Sequence, residues 1–324
     1  MSQLRKDSLT GEWVIFATNR LNKPYYFSRE NSLSDKIQEK CPFCLGEEHQ
    51  TPEEIYRHGN EEFWNIRVFN NLYPAVGEDA SKLDEDNFYT TQAGKGIHEV
   101  VVDTSNHDEE IYDFTDEHMT DVLRVLKSRF EEIKKDDFIK YVQIFKNNGR
   151  NAGASIPHSH WQIMGVPYIP QKQEEILKNI KIYKEKKGEC LICAIQKKES
   201  IEKTRIIMEN RDFTVFVPYA AKFAFEMWIV PQNHISSYKD FDDMQLKSLA
   251  EILLPVLRKM QKLRDGIGFN LCFQDSPKNS MTNEFHWFLQ ILPRIGAPAG
   301  FEFSTGSYIN PILPEDAAKK IKNL

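Results

Sequence analysis

Long apolar runs are missing from this sequence. No stretch approaches the roughly 18 consecutive apolar residues that span a bilayer, and the opening Met1-Ser-Gln-Leu-Arg-Lys-Asp7 lacks the apolar segment of a signal peptide. A membrane partner is not expected, and the cytoplasm is the default location. A basic excess is missing too. The 42 Lys and Arg are outnumbered by 48 Asp and Glu, giving a net charge of −6 and a pI near 5.9. Chains that grip nucleic acid nonspecifically carry a basic balance or a basic stripe. The one Lys-rich stretch, Lys178 to Lys187, reads as a solvated helix face, so nucleic acid is not an expected partner. Cysteine is scarce, with five in 324 residues. Four of them form two C-x-x-C pairs, Cys41/Cys44 and Cys190/Cys193, and Cys272 is left over. In a cytosolic chain such pairs suggest metal binding or redox work before structural disulfides. The rest of the composition, 40% hydrophobic and 28% charged, is that of a soluble globular enzyme. The length allows two ordinary domains or one of double size.

The chain repeats itself. The first half runs Cys41-Pro-Phe-Cys44, strand-like His98-Glu-Val-Val-Val-Asp103, then His107. A helix pattern follows through Met119, Val122, Leu123, Leu126, Phe130 and Ile133. Strand-like Tyr141–Phe145, a loop over 147–155 and His158-Ser-His160-Trp-Gln162 complete it. The second half repeats the order: Cys190-Leu-Ile-Cys193, Phe225–Val230, His234, a helix pattern from Leu246 to Met260 with Pro255 inside it, Phe269–Phe273, and His286-Trp-Phe288-Leu-Gln290. Pro255 removes a backbone donor and predicts a kink. His107 precedes His158 by 51 residues, and His234 precedes His286 by 52. Agreement in order, residue type and spacing indicates an internal duplication. The expected division is a catalytic half over 1–170, an exposed helical linker over 171–189 ending near Gly188, and a degenerate half over 190–324. Short, hairpin-compatible strands with packed helices predict an α+β fold with two antiparallel sheets.

Each half offers a Cys₂His₂ set suited to tetrahedral zinc: Cys41, Cys44, His107 and His158, and Cys190, Cys193, His234 and His286. Four protein ligands leave no open position, so one or two structural ions are expected. A redox dithiol is the competing reading, but that motif belongs at a helix start in a βαβ unit, and Leu45-Gly-Glu-Glu-His-Gln50 follows the first pair. A single ribbon joining all four cysteines would need a gap far beyond the usual spacing. His49, His58 and His118 lie in polar stretches and read as surface residues. His98 could replace His107 as a ligand but sits inside a strand-like run. Cys272 reads as a buried small hydrophobe.

The halves differ at one telling position. The first reads H-x-H-x-Q and the second H-x-F-x-Q, with Phe288 where His160 would stand. Both keep a metal ligand, and only the first keeps a spare imidazole. On a strand, residues two apart share a face, which would set His160 beside the anchored His158. A neutral imidazole attacks phosphorus well and leaves well, which suits a two-step transfer through a phosphoramidate. One ring nitrogen must be protonated and held, typically by a backbone carbonyl, so that the other attacks. Gln162, Ser155 and the amides of the Gly149–Gly153 loop could stabilise the charge developing on phosphate oxygens.

These residues resemble the galactose-1-phosphate uridylyltransferase family of the histidine-triad superfamily. The match runs through Leu9–Ile15 to Arg20 and Lys23-Pro24, Cys41–Cys44, Arg67–Asn71, Phe145-Lys-Asn147 through Ser155 to Gln162, and Phe285-His-Trp287. The resemblance implies a duplicated histidine-triad-like fold, zinc on Cys41, Cys44, His107 and His158, and a homodimer. It implies His160 as the nucleotidylated nucleophile, Gln162 and Ser155 on the transferred phosphoryl group, and Asn71 and Asn147 at the nucleotide. Arg20 and Lys23 would reach the phosphates from a neighbouring subunit, with Lys23 standing where arginine is usual. The expected partners are a nucleotide sugar and either phosphate or a sugar phosphate. Gly300-Phe-Glu302 through Gly306-Ser-Tyr-Ile-Asn-Pro311, Ser159, Phe288 and the second C-x-x-C look more like the plant ADP-glucose phosphorylase branch. There phosphate is the acceptor and adenine the base. Rival readings are a dinucleoside polyphosphate phosphorylase or hydrolase using the same histidine, and a non-catalytic zinc-stapled nucleotide-binding protein.

Overall fold

A computed structural model describes residues 3–16, 41–60, 62–77, 94–278 and 283–324. Its elements in chain order are β1 (Gln3–Lys6), β2 (Trp13–Phe16), β3 (Glu54–Gly59), β4 (Trp64–Asn70), β5 (Ile97–Val102), α1 (Asp116–Lys135), β6 (Tyr141–Asn148) and β7 (His160–Val166). There follow α2 (Gln171–Lys187), α3 (Leu191–Glu202), β8 (Ile206–Glu209), β9 (Phe213–Phe216), β10 (Met227–Pro231) and α4 (Asp243–Leu263). The chain closes with β11 (Phe269–Gln274), β12 (Phe288–Pro293), α5 (Gly300–Thr305), β13 (Tyr308–Asn310) and α6 (Pro314–Lys322).

Among the described residues, ten strands form one antiparallel sheet in the order β3-β4-β5-β7-β6-β11-β12-β10-β9-β8. The order reads the same from either edge in terms of each half's own strands. The duplication is therefore visible as two five-stranded halves of one sheet. The sequence suggests one sheet per half; ladder bonds between β6 and β11, with Asn147 opposite Asn270, fuse the two edge to edge. This seam also pairs edges that would otherwise be open. A separate three-stranded sheet joins β1, β2 and β13, with β13 parallel to β2.

One side of the large sheet carries the main core. Trp161, Ile163, Ile144, Leu271, Phe273, Leu289 and Ile291 pack there against α1 and α4. Alternation along each strand sends every second residue to this side. Thr115 caps α1 by accepting from the His118 N–H, and Asp116 and Glu117 in the first turn suit its positive end. Helix α4 runs on through Pro255. Its Leu249, Leu253, Val256 and Leu257 are fully buried, each worth roughly 1.5–3 kcal/mol.

The opposite side is divided. Over the second half lie α2 and α3, whose Ile176, Leu177, Ile180, Leu191 and Ile192 pack on Phe216, Trp228, Val230 and Phe288. The stretch expected to be an exposed helix is thus half buried, and it ends at Gly188 in the left-handed conformation. Gln173 of α2 donates to Gln274 at 2.8 Å, and Gln274 donates to Gln290 at 2.8 Å. The first half of this side is packed instead by the Cys41–Cys44 turn, through Phe43 against Phe69. Among the described residues, no helix is long and apolar enough to cross a membrane.

Candidate active site and metal centres

The tertiary fold gathers both expected ligand sets. Cys41, Cys44, His107 and His158 present their ligand atoms within 4.8 Å of one another, and so do Cys190, Cys193, His234 and His286. In the first set Cys44 Sγ lies 3.4 Å from His107 Nδ1 and 3.6 Å from His158 Nδ1, and Cys41 Sγ lies 3.7 Å from His158 Nδ1. Ordinary zinc–sulfur and zinc–nitrogen bonds in a tetrahedron give ligand–ligand edges of roughly 3.6 Å. The His158 Nε2–H donates to the Thr104 carbonyl at 2.8 Å, which turns the Nδ1 lone pair towards the thiols. Burial and the adjacent Cys41 charge push the Cys44 thiol up to about 11. Two thiolates side by side call for a cation, and the donor set fits a metal ion. In the second set Cys193 Sγ lies 3.3 Å from His234 Nδ1 and 3.2 Å from His286 Nδ1. Cys190 caps the start of α3, so the second C-x-x-C does sit at a helix start, with two histidines closing over it.

His160 opens β7, and its ring is buried against Phe43 with centroids 5.3 Å apart. His158 precedes the strand, so strand alternation relates His160 to Gln162 while a turn brings His158 to the metal side. The His160 Nδ1–H donates to the His158 carbonyl at 2.8 Å. That bond leaves Nε2 unprotonated. Burial pulls the pKa down to about 4, with nearby Lys146 adding to the effect. The ring is therefore neutral at pH 7 and presents a lone pair.

Gln162 is oriented by a residue that sequence reasoning did not place here. Ala75 N–H donates to His98 Nδ1 at 3.2 Å, so the neutral His98 ring carries its proton on Nε2. That proton goes to Gln162 Oε1 at 2.8 Å. The Gln162 NH₂ group is left to donate elsewhere. Asn71 approaches the same His98 nitrogen to 3.3 Å. His98 is thus not a metal ligand; its ring orients Gln162, and its carbonyl accepts from the Asn71 N–H at 2.8 Å. Its position inside a strand run concealed this, because both contacts depend on chain pairing. His118, expected on the surface, is half buried and donates from Nε2 to the Asp103 carbonyl at 2.7 Å.

The loop between β6 and β7 is a short turn between Gly149 and Gly153, with φ of 83° and 91°. Side chains are strained in that conformation, and a Cβ on Gly149 would also meet Gly268 Cα at 3.2 Å. Ser155 lies exposed in the continuation of the loop. Asn147, at the end of β6, accepts from Asn270 Nδ2 at 2.7 Å. Asn270 also donates to the Ala152 carbonyl at 2.8 Å and accepts from Arg294 Nε at 2.6 Å. Arg294 is a second residue missed in the sequence. Its guanidinium stacks over Phe223 at 4.8 Å, burial disfavours its charge, and no carboxylate among the described residues is paired with it. Cys272 lies half buried on the same side as Gln162, and burial pushes its thiol up to about 11. Arg20 and Lys23 lie outside the described residues.

The duplicate is covered by a helix at the corresponding place. Phe288 and Gln290 occupy the positions of His160 and Gln162, but α2 packs over the first and the Gln173–Gln274 chain engages the second.

Comparison with known proteins gives consistent relatives. A family model described as "Galactose-1-phosphate uridyl transferase, N-terminal domain" matches residues 1–170, and the corresponding C-terminal domain matches residues 174–321. An ADP-glucose phosphorylase from Arabidopsis thaliana is 35% identical over 99% of this chain and 93% of its own length. A galactose-1-phosphate uridylyltransferase from Thermotoga maritima is 29% identical over 99% of this chain and 98% of its own. A crystal structure of an ADP-glucose phosphorylase from Arabidopsis thaliana with bound ADP-glucose superposes with a TM-score of 0.86 at 34% identity, covering 100% of this chain and 99% of that one.

Proposed function

Because this chain belongs to the galactose-1-phosphate uridylyltransferase family of nucleotidyl-transfer enzymes, we propose that it moves a nucleoside monophosphate from a nucleotide sugar to phosphate through a covalent bond to His160. The observation that carries this reading is the His160 Nδ1–H bond to the His158 carbonyl, which leaves Nε2 as the attacking atom. Nε2 forms a bond to the α-phosphorus, and the bond from that phosphorus to the bridging oxygen breaks. Hexose-1-phosphate leaves with the electron pair. An acceptor phosphate then attacks the nucleotidyl-histidine and returns the ring to its neutral state.

Gln162 and Ser155 stabilise the charge on the transferred phosphoryl oxygens, and Asn71 and Asn147 hold the nucleotide. Arg294 receives the acceptor anion: it is desolvated, has no carboxylate partner among the described residues, and is turned by Asn270, which is bonded to Asn147. Arg20 and Lys23 complete the phosphate contacts across a homodimer. Cys41, Cys44, His107 and His158 hold one structural zinc and Cys190, Cys193, His234 and His286 a second. Bound with four protein ligands, zinc supplies a rigid anchor and no open position. The resemblance of the Gly300–Pro311 stretch to the ADP-glucose phosphorylase branch and the 35% identity to such an enzyme support phosphate as acceptor and an ADP-sugar as donor. The site is expected to work in the cytoplasm.

Incubation with an ADP-sugar labelled at the α-phosphate should leave one acid-labile label per chain, on the peptide containing His160. Turnover with ADP-glucose and phosphate but no label on the enzyme would defeat the covalent route. Replacing His98 by alanine frees the Gln162 amide and should lower kcat roughly tenfold or more, with little change in KM; a rate equal to that of the parent would show that Gln162 is held by other means. Arg294→Met should raise the KM for phosphate at least about tenfold, the scale of a lost charge-assisted contact, while label transfer from the ADP-sugar persists. An unchanged phosphate KM would remove Arg294 from the acceptor site.

A further inference from the structure

A buried ion pair stands behind the His158-Ser159-His160 run. Lys146 Nζ donates to Asp103 Oδ2 at 2.8 Å, to Ser159 Oγ at 2.7 Å and to the His160 carbonyl at 3.2 Å. Both charged side chains are fully buried. All three ammonium protons are used, so Lys146 has no free donor for a substrate. It points to the core side of the sheet, over the Trp161 ring at 5.5 Å.

A buried ion pair usually adds little stability over apolar residues of similar size. This protein contains its own comparison. Gln162 pairs with Val100 on β5 and Phe145 on β6. Its counterpart Gln290 pairs with Trp228 on β10 and Cys272 on β11. Counting along each strand from these partners, Asp103 corresponds to Pro231, Lys146 to Phe273, and Ser159, between the histidines, to Trp287. The second half fills the space with an edge-to-face contact between Phe273 and Trp287, ring centroids 5.3 Å apart. It keeps the same strand order and the same Cys₂His₂ cluster. Neither the sheet nor the ligand cluster therefore requires the polar trio. What the second half lacks, together with the trio, is the nucleophile.

We propose that Lys146, Asp103 and Ser159 form a buried polar anchor that positions His160 for attack. The anchor acts through the backbone. Lys146 grips the His160 carbonyl and the Ser159 side chain, and the Asp103 N–H meets the Ser159 carbonyl at 3.5 Å. Ser159 is thereby held from behind at its side chain and its carbonyl, and the His160 carbonyl is held with it. The peptide unit on the other side of Ser159 carries the His158 carbonyl that receives the His160 Nδ1 proton. A rotated His158 carbonyl would let the ring turn or exchange tautomers, and Nε2 would no longer aim at phosphorus. Lys146, Asp103 and Ser159 are positioning residues in this role. The inference rests on His160 being the nucleophile.

The test uses the full-length, metal-loaded chain. The pair Asp103→Leu with Lys146→Met removes both charges together and strands neither. It should fold, retain its metal content and bind AMP with unchanged Kd. Its single-turnover rate of label transfer from an ADP-sugar should fall about a hundredfold, the cost of misplacing a reacting group by about an ångström. In ¹⁵N-histidine spectra the His160 signals should move from a single Nδ1–H tautomer to a mixture. Ser159→Ala, which removes one hydrogen bond, should fold normally, slow label transfer about threefold to tenfold and show a smaller tautomer shift. A structural role alone would lower Tm and leave the rate per folded molecule and the tautomer unchanged. Label transfer at the parental rate in the double variant overturns the anchor; if that variant does not fold, a parental rate in Ser159→Ala does so. Absence of label in the parent protein would instead refute the His160 reading, and the ¹⁵N signature would still decide whether the trio holds the ring.

Discussion

Phenylalanine in place of His160 should abolish nucleotidyl transfer while leaving the chain folded and its metal content unchanged. The expectation comes from inside the molecule. Phe288 holds the matching register on β12, two residues before Gln290, and packs without strain beside a complete Cys₂His₂ cluster. The sheet therefore tolerates a phenyl ring at this place in the repeat. His160 also has an aromatic neighbour in Phe43. The phenyl ring has no lone pair, so no bond to phosphorus can form. Loss of a nucleophile that works as a unit with its surroundings typically costs on the order of 10⁴-fold or more in kcat, or about 5.5 kcal/mol of barrier. Tm and metal analysis would confirm folding, and nucleotide binding should persist. Residual turnover above one hundredth of the parental rate would place the chemistry on another group.

The second large effect concerns the two metal clusters, which should fail differently. Cys41→Ser breaks the set that anchors His158, and His158 supplies the carbonyl that aims His160. One metal equivalent should be lost. Stability should drop by about 3 kcal/mol or more, since loss of a metal belongs among the severe mutational mechanisms. Label transfer should slow about a hundredfold from misplacement of the ring. Cys190→Ser breaks the other set, whose strand neighbour is Phe288. The loss of metal and of stability should be similar, because Cys190 starts α3 and α3 closes the apolar cluster over β9, β10 and β12. The rate per active molecule should stay within about threefold of the parent, since no reacting group leans on this cluster. Metal stoichiometry, thermal unfolding and rates normalised to burst amplitude would measure all three. Equal loss of label transfer in the two variants would show that the clusters are not functionally separate, and full metal retention in Cys41→Ser would show that its ligand set is not the one assigned.

Much of this site was legible before any coordinates because its logic is local or repeated. A C-x-x-C pair announces itself by spacing, and the nearly equal separations of His107 from His158 and His234 from His286 tie each pair to its own histidines. The distinction between His158 and His160 also needed no structure, because the repeat kept one and replaced the other by Phe288. His98, Arg294, Asn270 and the Lys146–Asp103 pair were not legible in this way. Each gains its meaning from a partner on another strand, at a distance of tens to more than a hundred residues in the chain. Within its own strand His98 looks like any polar residue in an apolar run.

Repetition likewise declared two similar halves, but it could not say which of them a helix would cover. That was decided by α2. The pattern of Lys178 to Lys187 marks a helix with a solvated face, and only the fold shows where its other face lands. Ile176, Leu177 and Ile180 close over Phe288, and Gln173 begins the chain that occupies Gln290. Burial depends on what surface meets the helix, and that surface is assembled from strands far apart in the chain. The amino-acid sequence by itself therefore determined the ligand types, the surviving imidazole and the duplicated frame. The tertiary structure decided which copy α2 covers, and it alone brought together the groups that hold His160 and Gln162 in place.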